Sequence, residues 1–145
     1  MRIQALLVAG LVLTAGLSAT PAQEKDKPIA GRQTAFLKAI QGEKVKDAYE
    51  DLLDGSLILE KKGDVENLVK QTEKALLLYG EVSAIEDLGI VRQEKHLASG
   101  LGMVCCEKAP LFFYFIWYRP KADAPSRLHN VWFDDNSKTF MEHRK

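Results

Sequence analysis

A conventional disulfide is missing from this sequence, because its two cysteines, Cys105 and Cys106, are neighbours. Adjacent residues of a strand point to opposite faces, and bonding them to each other demands an unusual local backbone. A soft-metal or redox pair is one reading of them and two small apolar residues on a buried strand is the favoured one; the fold must stand on its hydrophobic core. Excess charge is missing as well. The 20 basic and 20 acidic residues balance, which excludes the counterion-release mode of nucleic-acid binding that needs a basic surface. Histidine is scarce. His96, His129 and His143 lie far apart with no helix-face spacing, so the pattern implies no zinc site. Gly100 and Gly102 fall in strand texture with no helix after them, and no serine sits in a nucleophile-elbow context, so no nucleotide, cofactor or acyl-enzyme chemistry is implied.

What is present begins with an export signal. Arg2 precedes an uncharged apolar run from Ala5 to Leu17, and Ser18-Ala19-Thr20-Pro21-Ala22 supplies the small residues that signal peptidase needs. That run is shorter than the roughly 20 residues required to cross a bilayer. Cleavage after Ala22 is therefore expected, leaving no stable membrane anchor. The expected location is periplasmic or extracellular. A bacterial envelope suits an exported chain without a conventional disulfide.

Residues 23–31 read as a polar tether, 32–140 as one α+β domain and 141–145 as a charged tail. Phe36, Leu37 and Ile40 have the spacing of one helix face, and Gly42 stops that helix. Val45, Ala48, Tyr49, Leu52 and Leu53 mark a second helix ending near Gly55. Leu57-Ile58-Leu59 fits either a brief strand or a buried corner. Asp64 is placed to cap a third helix whose stripe runs through Val65, Leu68, Val69, Thr72, Ala75, Leu76 and Tyr79 to a stop at Gly80. Four strand-like segments follow: Glu81 to Val91 with a bulge signal at Gly89, Leu97 to Cys106, Leu111 to Tyr118, and Arg127 to Asp134. The third is apolar on both faces, so it must be covered on both sides or against a partner.

Three helices and then an antiparallel meander resemble the nuclear transport factor two-like (cystatin-like cone) superfamily, in particular its small secreted bacterial domains of unknown function. The resemblance spans about Arg32 to Asn136. It is carried by Phe36-Leu37-Lys38-Ala39-Ile40-Gln41-Gly42, Leu77-Leu78-Tyr79-Gly80, Phe112-Phe113-Tyr114-Phe115-Ile116-Trp117-Tyr118 and Val131-Trp132-Phe133-Asp134-Asp135-Asn136. It implies three N-terminal helices packed on a curved antiparallel sheet of about four strands.

That superfamily holds isomerases, dehydratases, ligand binders and interaction domains, so the fold does not choose among them. An isomerase-like site would need a carboxylate and an oxyanion donor pointing into the cone. By type the candidates are Tyr49, Tyr79, Tyr114, Tyr118 and Asp134, none in a matching motif. Asp134-Asp135-Asn136 lacks the spacing of a calcium loop and reads as a turn. The expected function is an exported, non-catalytic binding or protein-interaction domain, whose partner is a protein or a small apolar ligand. The weak ligand-binding candidates are Tyr114, Tyr118, Trp117 and Trp132, and a homodimer through an open sheet face is compatible with this reading. The alternative is a small-molecule binder or an isomerase- or dehydratase-type enzyme using the interior of the cone. The first predicts a filled interior, the second a cavity with convergent polar groups.

Overall fold

The structure is a computed structural model that describes residues 29–145; the export segment and the first residues of the tether lie outside them. The described chain runs α1 (Ile29–Gln41), α2 (Val45–Leu52), a 3-10 turn (Leu57–Glu60), α3 (Lys62–Tyr79), β1 (Val82–Gln93), β2 (Leu97–Cys106), β3 (Pro110–Tyr118), β4 (Arg127–Asp134) and α4 (Ser137–His143). The strands form one antiparallel meander in the order β1-β2-β3-β4. The expected α+β order, helices first and sheet second, is therefore the observed one.

The helices cover the inner face of the sheet, and Phe36 of α1 is the keystone. Its ring meets Tyr49, Phe113 and Phe115 edge to face with centroids 5.1, 5.3 and 5.6 Å away. Leu37, Ile40, Leu52, Leu53, Val104, Leu111, Trp117, Leu128 and Val131 complete this buried cluster. Burying a large apolar side chain contributes about 1.5–3 kcal/mol, so a core of this size can hold the domain without a disulfide.

Two glycines let α1 approach. A Cβ on Gly100 would lie 1.9 Å from the Gln33 side chain, and one on Gly102 would lie 2.7 Å from Leu37. The small residues of β2 thus mark a close approach, and what approaches is α1. Gly89 fulfils its bulge signal at φ 65°, with a register shift against β2 between Asp87 and Gly89. Asp87 Oδ1 accepts from the Gly89 amide at 2.8 Å and holds the bulge.

Four details correct the sequence reading. There are four helices, not three: Ser137–His143 is α4, which takes in the end of the expected domain and the first three residues of the expected charged tail. Asn136 caps it by accepting from the Lys138 and Thr139 amides, and Phe140 is buried. The first helix starts at Ile29, inside the expected tether, because Ile29 packs against the inner cluster. The third helix starts at Lys62, two residues before the expected cap, so Asp64 lies in its first turn. There its charge still favours the dipole. Finally, α4 covers part of the outer sheet face, so that face is not left open along its whole length.

Candidate functional site

Polar groups inside the helical half of the domain are paired with one another. Thr72 Oγ1 donates to the Leu68 carbonyl at 2.8 Å, which leaves the Tyr49 hydroxyl to donate to Thr72, also at 2.8 Å. Burial, only partly offset by this bond, pushes the Tyr49 phenol up to about 12. Trp117 Nε1 donates to Gln33 Oε1 at 2.8 Å, and Gln33 Nε2 donates to the Gly89 carbonyl at 3.3 Å. Arg32 lies over the Trp117 ring, 5.0 Å from its centroid, and donates to the Leu52, Asp54 and Ser126 carbonyls. Among the described residues, every buried side-chain nitrogen and oxygen has a hydrogen-bond partner.

The tyrosine and carboxylate nearest to an isomerase-like pair sit on the other face. Tyr114 stacks on Trp132 with centroids 5.0 Å apart, and its hydroxyl donates to Asp134 Oδ1 at 3.1 Å. The same oxygen accepts from the Asn136 amide at 3.0 Å, where the chain turns into α4. Burial first, then the charge of Asp134, raises the Tyr114 phenol well above its ordinary value. A phenol whose proton is committed to a carboxylate is a poor oxyanion donor, so the geometry suits a structural pin. Phe140 stacks on Phe112 at 4.3 Å, and His143 meets Tyr114 edge-on at 5.2 Å. Thus α4 closes this half of the outer face.

The four aromatic candidates do not converge. Trp117 is buried on the inner face, Tyr114 and Trp132 lie beneath α4, and Tyr118 stands at the far end of the sheet with 43% of its surface exposed. Tyr79, at the end of α3, donates to Asp135, and that bond raises its pKa. Tyr49 is the inner-face pair already described. The thiols behave as expected of alternating strand positions: Cys106 packs against the inner cluster and Cys105 faces the other way. Both are half-buried, and burial raises both pKa values. Among the described residues no three potential metal ligands come together.

The molecule opens along α3 instead. One groove of about 630 Å³ lies between the ends of α1 and α2 and the C-terminal half of α3, floored by Ile40, Val45, Leu76 and Val82. Another of about 560 Å³ follows α2 and the N-terminal half of α3, with Leu59, Val65 and Val69 between lysines and glutamates. Glu73 borders both. Beside them Leu77 and Leu78 are 86% and 61% exposed. The sequence reading used these two leucines only as part of the resemblance, although the triplet Leu76-Leu77-Leu78 held the signal of an exposed face. A helix turns 100° per residue, so three consecutive leucines cannot share one buried stripe. Comparison of the chain with protein-family models, with curated proteins and with solved structures returns no match.

Proposed function

We propose that this chain is an exported, non-catalytic protein-interaction domain of the nuclear transport factor two-like kind, and that it docks through the outward face of α3. The observation that carries the reading is the pair of exposed leucines beside apolar grooves, in a domain whose buried polar groups are already paired with each other. Two large exposed side chains side by side mark an interaction surface more readily than scattered ones do.

The partner is a second copy of the chain. Lys62, Glu66, Lys70, Glu73 and Leu77 follow one another at helical spacing, and all are exposed. Charges that alternate in sign along a face complement themselves when the helix is reversed. Two antiparallel copies related by a two-fold axis between Gln71 and Thr72 would set Lys70 of each against Glu73 of the other, as an isologous contact requires.

Light scattering on a size-exclusion column tests this with the chain beginning at Gln23. A dimer is expected that weakens in Leu77→Ser and in Lys70→Glu, the latter placing glutamates opposite each other. The double reversal Lys70→Glu with Glu73→Lys should recover the dimer. A monomer at high concentration, or a double reversal no better than the single one, refutes the reading.

A further inference from the structure

The neutral net charge of this chain hides a strong segregation along the sheet. The β1–β2 and β3–β4 turns meet at one end, where the Arg119 amide donates to the His96 carbonyl at 2.8 Å and His96 Nδ1 lies 2.9 Å from the Arg119 carbonyl. That end, residues 92–96 and 118–130, carries Arg92, Lys95, Arg119, Lys121 and Arg127 against only Glu94 and Asp123, with His96 and His129 beside them. Glu94 is 3.6 Å from Arg92, but the pair is exposed and neutralises little beyond itself. The opposite end, at the start of β1, the β2–β3 turn and the end of β4, carries Glu81, Glu86, Glu107, Asp134 and Asp135, with Lys108 among them.

The basic end also presents apolar surface. Leu97 and Tyr118, paired across β2 and β3, are 47% and 43% exposed, and Arg127 pairs with Tyr118 on the next strand. The His129 ring lies 6.3 Å from that of Tyr118. Aliphatic and aromatic side chains set among arginines and lysines give the two signals that surface membrane binding requires, apolar contact and attraction to anionic headgroups.

We infer that the end of the sheet formed by Arg92, Lys95, Leu97, Tyr118, Lys121 and Arg127 is a docking surface for an anionic phospholipid membrane. The site lies away from α3 and does not depend on self-association there. Docking through it would leave the α3 face free.

The test is co-sedimentation of the chain beginning at Gln23 with vesicles of phosphatidylglycerol and phosphatidylcholine, with pure phosphatidylcholine vesicles beside them. Binding is expected to the anionic vesicles and to fall steeply with added salt. Each basic residue near the surface is worth about fivefold in partitioning, so Lys95→Gln, Lys121→Gln and Arg127→Gln together should weaken it about a hundredfold. The three side chains are exposed, so an unchanged urea midpoint would show that the triple variant folds. Equal binding to neutral vesicles, no binding to anionic ones, or an undiminished triple variant overturns the inference. Binding to soluble polyglutamate without binding to anionic vesicles overturns it too, because the patch would then recognise acidic polymer rather than lipid.

Discussion

Replacing Gly100 by alanine adds one methyl group where α1 lies tightest against the sheet. The new Cβ would lie 1.9 Å from Gln33 Oε1 and 2.6–2.7 Å from the rest of that amide, so Gln33 has to move. Its carbonyl oxygen is the acceptor for the indole N–H of Trp117, which is 1% exposed. Forcing a methyl group into a packed core costs about 1–3 kcal/mol. Leaving a buried donor without its partner costs about another 1–3 kcal/mol. Against these stands a gain of about 0.5–1 kcal/mol for removing a glycine from a strand. The net expectation is a loss of about 1–5.5 kcal/mol, a large share of the 5–15 kcal/mol that holds a typical domain together. Urea unfolding followed by tryptophan fluorescence reads it directly, since Trp117 reports on the bond that is lost. Gly63→Ala is the matched control, because nothing lies within 4 Å of the added carbon and alanine suits the helix better. It should hold or raise the midpoint. A Gly100→Ala variant as stable as the parent would mean that α1 does not lie on β2 as described, and the argument for the filled interior would go with it.

The helix faces, the bulge and the meander were legible because each rests on a local rule. Phe36, Leu37 and Ile40 share a face by the pitch of a helix, and Gly89 marks its bulge by tolerating a left-handed backbone. The outer cover was illegible for the opposite reason. Seven residues ending in charges carry too short a pattern to announce a helix, and only the closeness in space of Phe140 and Phe112 gives them a buried face. The four aromatic candidates are divided by parity. Trp117 is one residue from Tyr118 and faces the other side of the sheet, as the strand period requires. Whole-chain charge concealed the basic end for a similar reason. Its five basic residues come from two turns and the strand ends beside them, separated in sequence, and only the pairing of four strands brings them together.

Phe140→Ala should undock α4 without unfolding the sheet, because the helix is terminal and Phe140 is its buried anchor. Hydrogen exchange would show the amides of α4 losing protection while β2 and β3 keep theirs. A global loss of several kcal/mol would show that α4 is part of the cooperative core. Removing the Tyr49 hydroxyl has a different signature, in pH rather than in position. Burial is the main cause of its raised pKa, so the folded state favours the neutral phenol, and the stabilisation is complete below the ordinary value of 10.0. It should drain away as pH rises from 10.0 to about 12, a span worth at most roughly 2–3 kcal/mol. Tyr49→Phe should therefore be about 1 kcal/mol less stable at neutral pH, from the lost bond to Thr72, yet should lose less stability than the parent above pH 10. Parallel stability curves for the two proteins through that alkaline range would show that the Tyr49 phenol is not held neutral by burial.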